Sequence, residues 1–141
     1  EGWALYAESL GKELGVFTDP YQWYGRLSDE MLRAMRLVVD TGLHAKGWTR
    51  EQSIQYMLDN SSMAGSDVTA EVERYIVWPG QALGYKLGQL RITELRAKAQ
   101  AELGAKFDVR EFHGQVLRDG AVPMDVLTAK IDRWIAAKKA S

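Results

Sequence analysis

The stretch between Val72 and Arg96 constrains the fold more than any other part of the chain, because it is the longest span with few polar interruptions. Gly80, Gly84 and Gly88 recur within it at a spacing of four residues. On a helix such glycines lie along one face about a turn apart, and they allow a second helix to approach the backbone closely. A helix that is apolar on most sides belongs in the middle of a bundle. We therefore predict a central Gly-rich helix here, with the other segments packed around it.

Pro79 interrupts this stretch and leaves two interpretations open. A proline inside a helix removes one backbone donor and clashes with the preceding turn, which costs about 3 kcal/mol. The first interpretation is a continuous helix with a kink at Pro79. The second is a short helix that ends near Trp78, followed by a long helix that has Pro79 in its first turn.

Helical periodicity also dominates the rest of the chain. Apolar residues recur at intervals of three and four residues in segments 1–14, 21–46 and 123–139. Two capping boxes, in which paired side chains satisfy backbone N–H groups at a helix start, are predicted from Thr49 with Gln52 and from Asp108 with Glu111. No segment shows the sustained alternation that is typical of strands. The sequence therefore predicts one all-α domain over residues 1–141, a bundle of six or seven helices.

The composition argues against several classes of function. Hydrophobic residues make up 46% of the chain and charged residues 26%, and the net charge is −1 with both signs interspersed. There is no basic stripe of the kind that nucleic-acid binding requires. There is no cysteine, so disulfide and thiolate chemistry are excluded. No apolar run of about 18 residues exists, so we do not expect a membrane as partner. Because there is no basic stripe, we do not expect a nucleic acid as partner either.

Neither histidine has a partner at metal-ligand spacing. His44 lies in the last turn of the second predicted helix, where a cation suits the helix dipole, and we interpret His113 as a structural histidine. The chain also lacks an HExxH motif and a phosphate-binding loop. Two isolated histidines cannot form a zinc site by themselves. Chemical motifs alone therefore indicate a helical domain without an assigned site.

The chain begins at Glu1, without a methionine and already inside a helical pattern. We therefore expect it to be the C-terminal part of a longer polypeptide, whose missing N-terminal part is one of its partners. Glu1 and Glu8 are seven residues apart, so they project from nearly the same side of the first predicted helix. They are candidates for metal ligands or acid/base groups, although solvated surface charges would have the same spacing.

Three blocks of sequence carry a resemblance to a known family. They are EGWALYAE at Glu1–Glu8, ERYIVWPGQALGYKLGQL at Glu73–Leu90 and FHGQVLRDGAVPMDVL at Phe112–Leu127. Together they resemble the C-terminal part of the bacterial domain-of-unknown-function 885 family, in the family's order and over nearly the whole chain. That family is similar to the helical zinc metallopeptidases of the gluzincin type, such as angiotensin-converting enzyme. In those enzymes two histidines and a downstream glutamate hold the zinc, and another glutamate is the general base.

The resemblance implies that Glu1 is the third zinc ligand, because EGW stands where the family has its downstream glutamate. Aromatic packing by Trp3 and Tyr6 would hold this helix and limit water around the metal. Glu8, two turns further on, would either support the metal site from a second layer of contacts or lie at the surface.

The resemblance also implies roles for the residues around the proline. Arg74 and Tyr75 resemble the Arg-Tyr pair of angiotensin-converting enzyme, in which the tyrosine hydroxyl donates to the oxyanion formed from the peptide carbonyl. Tyr85 is the alternative donor, and either phenol suits a position where negative charge develops. Arg74 or Lys86 would bind a carboxylate of the peptide substrate. Each of these residues would also fit a structural role, as a core tyrosine or a surface cation.

The histidine–glutamate zinc motif is missing from the chain. We therefore expect a zinc-dependent peptidase acting on short peptides in the longer protein, and neither zinc binding nor activity in this chain alone. We expect an uncovered apolar surface along the first predicted helix or the Gly80–Gly88 face, and such a surface favours a homodimer of the chain. Relatives of this kind imply a bacterial protein with a periplasmic or secreted location. Two alternatives remain open. One is a degenerate family member that has lost zinc, and the other is a non-catalytic interaction module whose contacts come from Trp3, Trp23, Trp48 and Trp78.

Overall fold

A computed structural model describes residues 1–140, and over these residues the fold is all-α, as predicted. Two short 3₁₀ helices, Gln81–Leu83 and Gly104–Lys106, accompany seven α-helices in the described part of the chain. The α-helices are α1 (Gly2–Glu13), α2 (Pro20–Ala45), α3 (Arg50–Asp59), α4 (Gly65–Val77), α5 (Gly84–Leu103), α6 (Val109–Leu117) and α7 (Met124–Ala140). No helix within residues 1–140 is both long enough and apolar enough to cross a bilayer.

Local capping chemistry sets several of the helix starts. The Thr49 hydroxyl accepts from the Gln52 N–H at 3.1 Å, and the Gln52 side chain accepts from the Thr49 N–H at 2.8 Å, which confirms the first capping box. The Asp108 carboxylate caps α6 by accepting from the Arg110 N–H at 2.8 Å. Glu111 pairs with Lys138 instead of closing the second box. Only the aspartate half of that box is therefore confirmed.

The stretch between Val72 and Arg96 is broken rather than kinked. Helix α4 ends at Val77, and Pro79 and Gly80 form a turn that lies outside both α4 and α5. Gly80 has φ of 80°, in the left-handed region that glycine adopts without steric penalty. The prediction that Gly80, Gly84 and Gly88 share one helix face is therefore wrong. Proline cannot donate to the helix ladder, and the glycine after it lets the chain change direction.

The contacts divide the chain into two compact units, one formed by Glu1–Leu87 and the other beginning at Gly88. The core of the first unit comes from α2, α3, α4 and the 3₁₀ helix after Gly80. Its buried residues are Met35, Val39, Met57, Val68, Val72, Tyr75 and Ala82. In the second unit, α6 packs on α7. Its buried apolar residues include Ile92, Leu95, Ala99, Phe112, Leu127, Ile131 and Ile135.

Candidate functional site

Glu1 lies beside the turn between α4 and α5. Its Oε1 atom accepts a hydrogen bond from Nε2 of Gln81 at 3.0 Å, across 80 positions of sequence. Its Cβ atom lies 3.8 Å from the position that a Cβ on Gly84 would occupy. The exposed Glu1 carboxylate is therefore adjacent to the first residue of α5, which directly precedes Tyr85.

A buried carboxylate of α2 holds this turn in place. Both carboxylate oxygens of Asp40 lie within hydrogen-bond distance of the Gly80 N–H, at 3.0 and 3.2 Å, and Asp40 is only 3% exposed. Asp40 thereby fixes the turn that presents Gln81 to Glu1.

Arg74 continues the chain of contacts from Gln81 into α4. Its Nη2 atom donates to Oε1 of Gln81 at 3.1 Å, and its Nη1 atom lies 3.6 Å from Oε1 of Glu71. Its guanidinium also lies 5.9 Å from the ring centroid of Trp78. Arg74 is therefore already paired within the protein, and its charge is shared with Glu71.

The hydroxyl of Tyr75 is held by two charged groups. It donates to Oε2 of Glu71 at 2.5 Å and accepts from Nε of Arg36 at 2.9 Å. Nη2 of Arg36 donates to the same Glu71 oxygen at 2.8 Å. Tyr75 and Arg36 are almost fully buried, with 1% and 4% exposure. The three side chains form a closed network in which the phenolic proton already has an acceptor.

The pKa values of this network follow from its burial and its hydrogen bonds. Burial raises the pKa of Tyr75 well above its usual value, and the hydrogen bond to Glu71 raises it further, while Arg36 partly opposes both. Burial alone would raise the pKa of Glu71, but the hydrogen bonds from Tyr75 and Arg36 outweigh it and hold that pKa below the ordinary value. Tyr75 is therefore a neutral phenol beside an ionised carboxylate at neutral pH.

Tyr85 is in a different environment. Its half-buried ring lies against two guanidinium groups of α2, with centroid distances of 5.3 Å to Arg33 and 5.0 Å to Arg36. Its hydroxyl has no hydrogen-bond partner within residues 1–140. The neighbouring Lys86 pairs with Glu30 at 2.5 Å, and Arg26 pairs with the same carboxylate.

The remaining candidates of the sequence analysis lie apart from this network or only touch it. Glu8 is exposed and forms neither a hydrogen bond nor an ion pair within the described chain. His44 lies in the last turn of α2, as predicted, and its Nε2 atom is 2.9 Å from the carbonyl oxygen of Tyr75. The ring of His113 contacts Phe112, with 5.9 Å between centroids. In residues 1–140, no group of three histidine, cysteine or acidic side chains is placed to hold a metal ion.

Sequence reasoning missed the α2 side of the network. Arg36 and Asp40 are four residues apart and stand among apolar residues of a helix that is otherwise well patterned, so they lie on its buried face. Charged residues on a buried face need partners, so the sequence pattern alone could have identified Arg36 and Asp40 as paired residues. The same holds for Glu71, four residues before Tyr75 on α4. The partners themselves were not predictable, since they lie 35 or more residues away in sequence.

Comparisons with known proteins agree with the architecture. Residues 1–131 match the family described as bacterial proteins of unknown function, DUF885. A crystal structure described as that of the "putative lipoprotein from Colwellia psychrerythraea" is 58% identical over 97% of this chain, with a TM-score of 0.94. The chain spans 24% of the length of that lipoprotein. No curated protein matches it. Because the family match covers most of its length, the chain belongs to the DUF885 family of bacterial proteins of unknown function.

Proposed function

We propose that this chain forms one wall of the active site of a zinc-dependent peptidase that hydrolyses short peptides, within a longer polypeptide. In this proposal Glu1 is one ligand of the zinc, and Tyr85 donates a hydrogen bond to the oxyanion. The name of the similar lipoprotein supports a location outside the cytoplasm for the whole protein.

The observation that carries the proposal is the position of Glu1 beside the turn and the start of α5. The hydrogen bond from Gln81 and the close approach to Gly84 bring an exposed carboxylate next to the helix turn that carries Tyr85. A zinc-dependent peptidase needs both a metal ligand and an oxyanion donor close to the reacting carbonyl. Glu1 and Gly84 belong to segments that are far apart in sequence, so the contact between them is a property of the fold.

The donor set of the chain fits the metal only in part. Glu1 offers an exposed carboxylate oxygen of the kind that zinc accepts, and a hydrogen bond to its other oxygen would orient it. The two histidine ligands would come from the rest of the polypeptide. When bound, zinc would supply Lewis-acid activation of the peptide carbonyl and of a water molecule. The contribution of this chain is to aim Glu1 and to hold the donors around the reacting carbonyl.

The hydrogen bonds favour Tyr85 over Tyr75 as the oxyanion donor. The Tyr75 proton is committed to Glu71, and breaking that bond would leave a half-buried carboxylate less satisfied. Tyr85 has a hydroxyl without a protein partner, and the two guanidinium groups at its ring favour negative charge nearby. In this proposal Tyr75 is a positioning residue that holds Arg36, while Tyr85 contacts the substrate. Arg74 and Lys86 are less suited to bind the substrate because each already has a carboxylate partner.

The test uses the full-length protein that contains this chain. Zinc content and hydrolysis of a peptide panel would be measured for wild type, for Glu1→Gln and for Tyr85→Phe. Glu1→Gln should lower metal affinity by more than the roughly 10–100-fold that follows the loss of a side chain orienting a metal ligand. Tyr85→Phe should keep the zinc and lower kcat by roughly 10²–10³-fold, the usual effect of removing one oxyanion donor.

Glu94→Gln is the matched control, since it makes the same change at an exposed carboxylate outside the network. It should leave zinc content and kcat unchanged. Full zinc content and full activity in Glu1→Gln would remove Glu1 from the site. Absence of zinc and of hydrolysis in the wild type would favour the non-catalytic interaction module, for which the 58% exposure of Trp78 is the supporting observation.

A further inference from the structure

The side chain of Gln81 lies between a cation and a carboxylate from different parts of the chain. Its Oε1 atom accepts from Nη2 of Arg74 at 3.1 Å, and its Nε2 atom donates to Oε1 of Glu1 at 3.0 Å. Gln81 and Arg74 are both half-buried, so the hydrogen bond between them is partly shielded from water. The three side chains therefore form a chain of hydrogen bonds that ends at the Glu1 carboxylate.

Arg74 determines which end of the Gln81 amide faces Glu1. A guanidinium group only donates hydrogen bonds and an ionised carboxylate only accepts them, whereas a side-chain amide does both through different atoms. A half-turn of the amide would place its NH₂ group against the Arg74 N–H and its oxygen against the Glu1 carboxylate. Both hydrogen bonds would then be lost. The amide therefore has one favourable orientation, and its NH₂ group points to Glu1.

The backbone of Gln81 and the guanidinium of Arg74 are each held by a further contact. Asp40, which is buried in α2, accepts from the N–H of Gly80, the residue directly before Gln81. Nη1 of Arg74 lies 3.6 Å from Oε1 of Glu71. The Gln81 amide is thus fixed through its backbone as well as through its side chain.

We propose that Arg74 and Gln81 are positioning residues that fix the orientation of the Glu1 carboxylate, holding one oxygen and leaving the other for a metal ion. The metal in this inference rests on the proposed function. A hydrogen bond from a neighbouring side chain orients a carboxylate ligand and supports metal affinity. Arg74 acts through Gln81 and does not contact the substrate. This role replaces the binding of a substrate carboxylate that the family resemblance implied for Arg74.

The first experiment follows the Gln81 amide by NMR in the metal-free chain labelled with ¹⁵N-glutamine. The Nε2–H proton that donates to Glu1 should resonate downfield of solvated side-chain amide protons. Glu1→Ala removes the acceptor and Arg74→Met removes the group that orients the amide, so each should move this signal upfield. Arg74→Lys can still donate to Oε1 and should restore most of the shift. The amide of Gln55, which donates to Asp59 at 2.7 Å, is the internal reference and should not respond.

The second experiment measures zinc affinity of the full-length protein by competition with a chromogenic chelator. Gln81→Met and Arg74→Met should each lower the affinity by roughly 10–100-fold, the effect of losing a side chain that orients a metal ligand. Because Arg74 acts through Gln81, the double variant should be little weaker than Gln81→Met alone, whereas independent effects would multiply. Arg50→Met is the matched control, since the Arg50 side chain is 40% exposed and that of Arg74 is 37% exposed. It should bind zinc like the wild type.

The proposal is overturned if the Gln81 signal ignores Glu1→Ala and Arg74→Met, or if the two effects on zinc affinity multiply. It is also overturned if Arg74→Met raises KM for peptides at unchanged zinc affinity, because Arg74 would then bind the substrate directly.

The two experiments separate this inference from the proposed function. A wild-type full-length protein without zinc, together with a Gln81 signal that responds to both changes, would refute the peptidase and keep the fixed orientation of Glu1. Zinc bound equally well by the wild type and by Gln81→Met would refute the positioning role and keep the peptidase.

Discussion

The Nε atom of Arg36 donates to the hydroxyl oxygen of Tyr75 at 2.9 Å, and both side chains are almost fully buried. The same hydroxyl donates to Glu71, so Tyr75 bridges a buried cation and its carboxylate. This bridge ties α2 to α4 across 39 positions of sequence. The stability of the first unit therefore depends on the Tyr75 hydroxyl.

The first prediction separates Tyr75 from Tyr85 by stability. Tyr75→Phe leaves Nε of the buried Arg36 without an acceptor, so it should lower the free energy of unfolding by about 1–3 kcal/mol. Tyr85→Phe removes a hydroxyl that has no protein partner, and the change should stay within about 0.5 kcal/mol. Urea unfolding of the two variants followed by circular dichroism measures both values. Equal destabilisation would contradict the distinction drawn between the two hydroxyls.

The second prediction concerns the pH dependence of stability. The pKa of Glu71 is lower in the folded chain than its ordinary value of 4.5, because hydrogen bonds from Tyr75 and Arg36 outweigh the effect of burial. A group with a depressed folded pKa contributes stability above its unfolded pKa, and that contribution disappears as the pH falls through the folded pKa. The contribution of Glu71 is therefore complete at neutral pH and is lost below about pH 4.5.

Glu71→Gln tests this window. At pH 7 the variant should be less stable than the wild type, because buried Arg36 loses its counter-charge. The difference in free energy of unfolding should narrow as the pH falls below 4.5, since Glu71 becomes neutral in the wild type as well. Denaturant titrations of the wild type and the variant at a series of pH values measure this difference in free energy of unfolding. The control Glu94→Gln, at an exposed carboxylate, should differ little from the wild type in free energy of unfolding at every pH. A difference for Glu71→Gln that stays constant with pH would refute the pH dependence assigned to Glu71.

The third prediction concerns the turn that places Gln81. Gly80→Ala puts a Cβ at a φ of 80°, which costs roughly 1–2 kcal/mol and disturbs the N–H that Asp40 accepts from. Gly25→Ala makes the same change inside α2, where the added methyl group meets nothing within 4 Å, so it should stabilise by about 0.5–1 kcal/mol. Thermal unfolding of both variants gives the comparison. A neutral Gly80→Ala would show that the turn is not held in this conformation.

The fourth prediction concerns self-association through a surface of α2, which is not one of the two surfaces expected from the sequence. Tyr24, Leu27 and Met31 are 62%, 43% and 42% exposed on one side of α2, where they line a groove of about 470 Å³. Exposed apolar patches of this kind favour association. The chain should self-associate with rising concentration, and Leu27→Gln combined with Met31→Gln should weaken the association. Sedimentation velocity over a hundredfold concentration range measures this. Thr69→Gln is a control at a partly exposed position of α4 with an intrahelical hydrogen bond.

Much of the helical architecture was predictable because its signals are local. The Thr49–Gln52 box and the last-turn position of His44 each depend on a few consecutive residues. The break after Val77 was one of two alternatives, since proline is compatible with both a kink and a helix end. The spacing of Gly80, Gly84 and Gly88 predicted that all three lie on one helix face. The positive φ of Gly80 places that residue in a turn instead.

The site was less predictable because its contacts are distant in sequence. The patterns around Glu1, Arg74, Tyr75 and Tyr85 indicated functional chemistry, and the structure connects three of them through Gln81 and Glu71. Their roles stay predictions. No sequence rule states that Tyr75 bonds Arg36 while Tyr85 packs on the same guanidinium, because that distinction depends on how α2 packs against α4 and α5.

The uncompensated charge of Arg33 has a consequence for engineering. Laboratory selection for heat resistance alone would favour replacing this arginine with leucine, because removing a half-buried cation without a counter-ion relieves repulsion from Arg36. Such a chain would lose the repulsion between the two guanidinium groups together with one of the two cation–π contacts at the Tyr85 ring. Position 33 is therefore one at which directed evolution for heat resistance should find a stabilising change.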